Sequence, residues 1–247
     1  MRRFLFWSLC FCLLFPVGLS SCDGSDSAAV IFGGTTGKLT WTLTEDGVLT
    51  ITGEGPMPDY RDGGTSETPP WYPHVNRISS LTIGEGVTRI GDYAFMLCSF
   101  VTKVVIPESV ISMGDWAFWG CSALITVSFE HESQLKIIQG SYEKIYVGHS
   151  PNGYNRYYRS GGFRGLANLT TFDASNCSQI ESIEPSAFYH CSKLQSVKVG
   201  TMIPPTCGID AFSELNSYTI LTVPKESIEA YKQANEWKNF TNITALN

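Results

Sequence analysis

Basic residues are scarce in this sequence of 247 residues, which has 17 Lys and Arg against 23 Asp and Glu. They form no run, so the sequence argues against a nucleic acid as the partner and against recruitment by charge to an anionic lipid surface. The four histidines include no His-Glu-x-x-His pattern, and the cysteines after residue 22 include no Cys-x-x-Cys pair. We therefore expect a non-catalytic protein without a metal ion or a cofactor.

Long hydrophobic runs are also missing, except at the N-terminus. Residues 4–15 are apolar and follow two arginines, but the run is too short for a membrane-spanning helix, which needs about 20 residues. Residues 1–21 are therefore predicted to be a signal peptide for export. Leu19-Ser-Ser-Cys22 resembles the lipobox of bacterial lipoproteins, in which the cysteine is acylated. The alternative is an ordinary secretory signal in which Cys22 is incidental.

Acylation of Cys22 would attach the mature chain to a membrane by its lipid anchor only. Residues 22–30 are then expected to be a flexible, lipid-anchored linker. We expect an exported protein anchored to the bacterial cell envelope at the outer membrane or cell surface, with the inner membrane as the alternative. Loss of the signal removes two of the 17 basic residues and none of the 23 acidic residues, so the net charge changes from −6 to −8.

A motif of nine residues recurs along the chain. The segment IGDYAFMLC at 90–98 is matched by MGDWAFWGC at 113–121, more loosely by IEPSAFYHC at 183–191, and by a fragment at 208–212. The copies are about 23–25 residues apart where they are consecutive, and one such unit cannot bury its apolar face alone. Their central phenylalanines, with Phe163 as a degenerate fifth, are Phe95, Phe118, Phe188 and Phe212.

Each copy precedes a short β-branched run that is typical of a strand. One strand per unit, stacked on the next, predicts a repeat solenoid of the leucine-rich-repeat type, mainly β with short helices and turns. The solenoid is expected at 78–223, with 22 extra residues inserted at about 140–161. The predicted strands are residues 101–106, 124–129, 169–172, 194–199 and 218–223.

The pattern AF..C..L..V.IP..V..IG, carried by residues 94–114, resembles the BspA-type leucine-rich repeat proteins of bacterial surfaces. The resemblance extends over about residues 37–240, apart from the insertion. It implies a curved, strand-lined surface and adhesion to a host protein or a bacterial surface protein.

Both ends of the solenoid are expected to be covered, because a terminal coil would expose strand edges and apolar surface. Residues 31–77 are assigned to an N-terminal β module with a hairpin at Asp46-Gly47. Residues 224–247 are assigned to a C-terminal cap that is helical from Pro224 to Trp237.

Three cysteines share one register, three residues after a repeat phenylalanine: Cys98, Cys121 and Cys191. We predict that they pack in the interior, because free cysteine behaves as a small hydrophobe. A disulfide between neighbouring coils remains the alternative, since stacked strands lie about 5 Å apart and bridged Cα atoms about 4.4–6.8 Å apart. Cys177 and Cys207 make the total after residue 22 odd, so at least one thiol would be unpaired.

The insertion at 140–161 is rich in tyrosine and arginine, which are enriched in binding hot spots. Insertions into solenoids often lie on the binding face, so we predict binding residues here. The alternatives are a β-hairpin that packs its rings against the coil edge without a ligand, and a diverged coil. The candidate binding residues are Tyr142, Tyr146, Tyr154, Arg156, Tyr157, Tyr158 and Arg159.

The sequence therefore favours a lipid-anchored, non-catalytic protein that binds a host or bacterial surface protein. The alternative is a glycan-binding accessory lipoprotein of an uptake system. Tyr93, Trp116 and Trp119 could suggest a carbohydrate platform, but they occupy repeat positions and are interpreted as packing residues.

Overall fold

The computed structural model describes three stretches of the chain: residues 28–61, 67–145 and 156–246. Side chains are described throughout them, except at 141–145 and 156–160. The predicted signal peptide and Cys22 lie outside the described residues. Within the described part, the buried apolar side chains form one continuous core from Leu39 to Phe240.

Three antiparallel strands open the described chain: β1 (Val30–Thr36), β2 (Leu39–Thr44) and β3 (Val48–Gly53). The turn between β2 and β3 contains Gly47, whose φ of 85° lies in the left-handed region that favours glycine. A Cβ at this position would lie 2.4 Å from the Arg77 carbonyl oxygen, so the turn needs glycine for space as well.

Parallel strands follow, in two ladders that run along the solenoid. The long-strand ladder consists of β7, β9, β13, β15, β17 and β18, and the short-strand ladder of β4, β6, β8, β10, β14 and β16. β3 pairs in parallel with β5, which lies next to β7, so the N-terminal sheet continues the long-strand ladder. The strands in chain order are β4 (Gly55–Pro56), β5 (Ser80–Ile83), β6 (Val87–Ile90), β7 (Lys103–Ile106), β8 (Ser112–Met113), β9 (Thr126–Phe129), β10 (Ile137–Ile138), β11 (Gly140–Ile145), β12 (Arg156–Gly161), β13 (Thr171–Ala174), β14 (Ser182–Ile183), β15 (Ser196–Val199), β16 (Thr206–Cys207), β17 (Ile220–Val223) and β18 (Asn242–Ala245).

The prediction of one strand per coil is wrong, because each coil supplies a strand to both ladders. Strands of two residues, such as β8, are too short to show an alternating pattern in the sequence. The long strands also begin two residues later than predicted. Val101 and Leu124, for example, donate their backbone N–H groups to the carbonyls of Cys98 and Cys121 three residues earlier, so they belong to turns.

Stacked aromatic rings form the centre of the solenoid. The repeat phenylalanines are all buried, including Phe163, and consecutive ring centroids lie 5.4, 5.7, 5.0 and 5.0 Å apart. Trp71 extends the stack at the N-terminal end, 5.9 Å from Phe95, and Trp237 extends it at the other end, 5.1 Å from Phe212. We call this set the aromatic column: Trp71, Phe95, Phe118, Phe163, Phe188, Phe212 and Trp237.

The register cysteines lie beside the aromatic column as buried, free thiols. The Cys121 thiol donates to the Phe95 carbonyl oxygen at 3.1 Å, and the Cys191 thiol donates to the Phe163 carbonyl oxygen at the same distance. Each of these cysteines therefore contacts the phenylalanine of the preceding coil. Cys98 is fully buried, and its thiol is free.

The two ends of the column use the same three residue types. The Trp71 indole N–H donates to the Ala94 carbonyl oxygen at 2.8 Å, and Tyr60 packs edge-on against the indole. At the other end the Trp237 indole N–H donates to the Pro205 carbonyl oxygen at 2.9 Å, with Tyr231 edge-on against it. Both tyrosine hydroxyls lie 2.6 Å from a threonine hydroxyl, those of Thr36 and Thr201 respectively.

The C-terminal helix is shorter than predicted. Helix α1 is only Ile228–Gln233, between 3-10 turns at Lys225–Ser227 and Trp237–Asn239. Ala234 is extended and Glu236 is left-handed with φ of 62°, so the helix ends before Trp237. After this change of direction the Trp237 ring lies in the column, 5.1 Å from Phe212.

Candidate functional site

The described parts of the insertion form an antiparallel hairpin from strands β11 and β12, between β10 and the coil of Phe163. Gly140 pairs with Gly161 at its base. Among the candidate binding residues, Tyr142 pairs with Arg159, Tyr158 with Glu143, Tyr157 with Lys144 and Arg156 with Ile145 through the backbone. Tyr146 and Tyr154 lie outside the described residues.

The base of the hairpin is held tightly between two coils. Trp116 donates its backbone N–H to the Gly161 carbonyl oxygen at 3.3 Å. A Cβ at Gly161 would lie 2.5 Å from the Ser186 carbonyl oxygen, and one at Gly140 would lie 2.1 Å from the Pro185 carbonyl oxygen. Both glycines are required because the hairpin passes so close to the next coil. The hairpin base is thereby fixed beside Trp116.

Partly exposed aromatic side chains and one arginine run along this edge of the solenoid. Tyr93 and Trp116 stack with centroids 6.2 Å apart and planes 12° apart, and Trp119 lies edge-on to Trp116 at 6.1 Å. The Arg164 guanidinium carbon lies 4.6 Å from the Trp116 ring centroid and 5.6 Å from that of Tyr189, within cation-π range. We call this set the aromatic row: Tyr93, Trp116, Trp119, Arg164 and Tyr189.

The backbone has an unusual conformation at two members of the aromatic row. Tyr93 and Trp116 precede Phe95 and Phe118 by two positions and have φ of 53° and 55°. The left-handed conformation costs about 1–2 kcal/mol for a residue with a side chain, and these aromatic side chains remain partly exposed. The packing interpretation thus accounts for their contacts with one another but misses the surface that they form.

A cleft opens at the N-terminal end of the aromatic row, where Tyr93 is part of its wall. It has a volume of about 750 Å³ and is open to solvent. We call it the N-terminal cleft; its lining includes Thr35, Asp59, Arg61, Glu67, Asp92 and Tyr93.

Two carboxylates in the N-terminal cleft share the Arg89 guanidinium. Asp59 pairs with Arg89 Nη1 and also accepts the Asp92 backbone N–H at 2.9 Å, while Asp92 Oδ1 lies 3.0 Å from Arg89 Nη2. Burial opposes the charge of Asp59, but the Asp92 amide and the Arg89 guanidinium outweigh it and lower the pKa of Asp59. Burial and repulsion from Asp59 raise the pKa of Asp92.

A sequence profile described as the BspA type leucine rich repeat region matches six copies in this chain, over residues 72–146 and 156–247. The unmatched residues between them lie between β11 and β12. The matches together cover more than half of the chain. The chain belongs to the BspA-type leucine-rich repeat family.

Solved structures similar to this BspA-type chain come from bacteria. A leucine-rich repeat protein from Eubacterium ventriosum is 20% identical, with 89% of this chain and 85% of that chain covered and a TM-score of 0.34. A leucine rich cell surface protein from Faecalibacterium prausnitzii is 21% identical over 81% of this chain and 46% of that chain, with a TM-score of 0.34. No curated protein matches the chain.

Several potentially reactive side chains of this BspA-type chain are buried, packed or paired. Burial raises the pKa of Cys121 and Cys191 to about 12, so both thiols are protonated and poor nucleophiles at neutral pH. The His74 ring stacks on Phe32 at 3.7 Å, and His190 pairs with Glu214. Among the described residues, no group of three or more His, Cys, Asp or Glu could hold a metal ion.

The sequence alone predicted neither the N-terminal cleft nor the position of Arg164 in the aromatic row. Arg164 follows Phe163 directly, in the register of Trp119 and Tyr189 after their own phenylalanines. That register was the available signal for Arg164. The cleft has no comparable signal, because its lining comes from four separate segments of the chain.

Proposed function

We propose that this BspA-type chain is a non-catalytic, extracytoplasmic binding protein that recognises a protein of a host or of a bacterial surface. The observation that supports it best is the position of the hairpin. Its base is fixed beside Trp116, so the backbone of the tyrosine- and arginine-rich insertion starts next to the aromatic row. Rigid aromatic and arginine side chains supply contact area at low entropic cost.

The anchoring part of the proposal is acylation of Cys22, with residues 1–21 removed and residues 22–30 as a linker to the outer membrane or cell surface. It is supported by the lipobox-like Leu19-Ser-Ser-Cys22. No helix among the described residues has the length and apolar character needed to cross a bilayer.

We also propose that residues 31–77 and 224–247 act as caps of the solenoid at 78–223. The support comes from the two tryptophans. Trp71 and Trp237 are fully buried. Each donates its indole N–H to a backbone carbonyl in the neighbouring part of the solenoid, Trp71 to Ala94 and Trp237 to Pro205. A tryptophan with a satisfied N–H closes an apolar stack without leaving a buried polar group unpaired.

The proposed protein recognition is tested by a variant with three serine substitutions in the hairpin, Tyr154→Ser, Tyr157→Ser and Tyr158→Ser. Binding to purified matrix proteins and bacterial surface proteins is measured by biolayer interferometry. We expect at least about tenfold weaker binding of the protein ligand, because hot-spot tyrosines each contribute more than about 1 kcal/mol. Tyr218→Ser is the matched control, since Tyr218 is 79% exposed on another part of the solenoid.

The thermal midpoint of both variants should equal that of the unmodified chain. If a protein ligand binds the triple variant as tightly as the unmodified chain, the hairpin is not part of the binding surface. Binding to glycans but to no protein would favour the second candidate, a glycan-binding accessory lipoprotein of an uptake system. The open N-terminal cleft, with an aromatic ring in its wall, is the observation that supports this candidate.

A further inference from the structure

The N-terminal cleft has the size and composition of a ligand site. Its volume of about 750 Å³ lies within the range of roughly 300–1,000 Å³ that is usual for small-ligand pockets. The lining combines two aromatic residues, Tyr60 and the partly exposed Tyr93, with hydroxyl, carboxylate and guanidinium groups from separate segments. A few polar groups that converge beside an apolar face are the arrangement that orients a small polar ligand.

The Tyr93 ring is held in place before any ligand arrives. Its face lies nearly parallel to Trp116, with centroids 6.2 Å apart, and Arg164 packs on Trp116 at 4.6 Å. The Tyr93 backbone is fixed as well, because its N–H donates to the Asp115 carbonyl oxygen at 3.0 Å and its carbonyl accepts the Met96 N–H at 3.1 Å. A rigid aromatic face beside a cleft suits a flat ligand with an apolar face, such as a sugar ring.

The polar groups of the cleft favour a ligand that donates hydrogen bonds and has no negative charge. Asp59 keeps 57% of its side chain exposed despite its contacts with Arg89 and Asp92, and an ionised carboxylate only accepts hydrogen bonds. Asp59, Asp92 and Glu67 outnumber the two arginines that pair with them, Arg61 with Glu67 at 3.0 Å and Arg89 with both aspartates, so one acidic group is in excess. The acidic side chains would repel an anionic glycan, whereas the hydroxyl groups of a neutral sugar can donate hydrogen bonds to them.

We infer that the N-terminal cleft binds a neutral oligosaccharide, with the Tyr93 ring against one sugar face and Asp59 and Asp92 accepting hydrogen bonds from hydroxyl groups. This inference goes beyond the proposed protein recognition and depends on neither the hairpin nor its protein ligand. It also gives the glycan-binding candidate a defined site and a class of ligand.

The test uses the full mature chain on a printed array of neutral, sialylated and sulfated oligosaccharides. The strongest neutral binder is then titrated by calorimetry. We expect Tyr93→Leu to weaken binding at least about tenfold, because leucine keeps apolar bulk against Trp116 but offers no flat face. Tyr93→Phe should stay within about threefold of the unmodified chain. Tyr218→Leu, a change at a tyrosine that is 79% exposed and does not line the cleft, is the matched control and should bind as the unmodified chain does.

Three results would overturn the inference: no neutral glycan bound on the array, preference for sulfated or sialylated glycans, or equal affinity of Tyr93→Leu. Displacement of the neutral glycan by an oligolysine peptide would also overturn it, because the cleft would then be a site for cationic peptides. The hairpin variant with Tyr154, Tyr157 and Tyr158 changed to serine should bind the glycan normally. Failure of protein recognition is thereby distinguished from failure of the glycan site.

Discussion

Removal of one ring from the middle of the aromatic column should greatly destabilise the solenoid. Phe163 is fully buried, and its ring centroid lies 5.7 Å from Phe118, 5.0 Å from Phe188 and 5.4 Å from Phe172. A buried Phe→Ala change costs about 3–5 kcal/mol, and each aromatic pair adds about 0.5–1.5 kcal/mol beyond its buried area. We expect Phe163→Ala to lower the free energy of unfolding by about 5 kcal/mol.

Two further variants test where this loss of stability comes from. One keeps apolar volume at Phe163 without a ring, and the other removes an exposed phenylalanine as a control. Phe163→Leu keeps most of the apolar volume and loses the three ring pairs, so we expect a loss of about 2 kcal/mol. Phe100→Ala removes a phenylalanine that is 56% exposed, and it should change the free energy of unfolding by less than about 0.5 kcal/mol.

Urea denaturation followed by tryptophan fluorescence measures these losses. With a slope of about 2 kcal/mol per molar urea, Phe163→Ala should lower the midpoint by about 2.5 M. The transition should also broaden, because repeat stability is the sum of units and interfaces, and the two halves would lose their shared interface. A loss below about 1 kcal/mol for Phe163→Ala, or an equal loss for Phe100→Ala, would refute the role of the column.

Two other predictions concern one residue each. Glu132 has φ of 61° and a side chain that is 74% exposed, so Glu132→Gly should relieve about 1–2 kcal/mol of left-handed strain against about 0.5–1 kcal/mol of added chain entropy. The thermal midpoint should rise slightly, and a fall would contradict the strain argument. Cys22→Ala should abolish metabolic palmitate labelling of the chain, and protease added to intact cells should digest the labelled protein. Protection until lysis would place it inside the envelope.

The repeats were predictable because packing imposes a fixed register. Phe95, Phe118, Phe188 and Phe212 recur with neighbours of the same type, and every unit must present its ring to the next. The insertion was equally visible, since 22 extra residues break that spacing, and its described ends pair with each other as β11 and β12. In both cases the signal is local and repeated.

The remaining features depend on contacts between distant segments. The N-terminal cleft joins Thr35, Asp59 and Tyr93, which no sequence period relates. The C-terminal helix was predicted too long because the pattern of Ile228, Tyr231 and Trp237 fits a helical face. Trp237 instead lies in a separate 3-10 turn after the helix, and its ring packs against Phe212. Tertiary packing overrides local helical preference here.

The aromatic column is compatible with the gain or loss of whole coils. Trp71 and Trp237 each contact the ring of a repeat phenylalanine, and these rings recur from coil to coil, so we expect neither end to depend on how many coils lie between them. Duplication or loss of a segment of about 23–25 residues would move the ends by about 4.7–4.9 Å, the spacing of neighbouring strands. The distance between the N-terminal cleft and the end of the solenoid could therefore vary among relatives without redesign of either terminus.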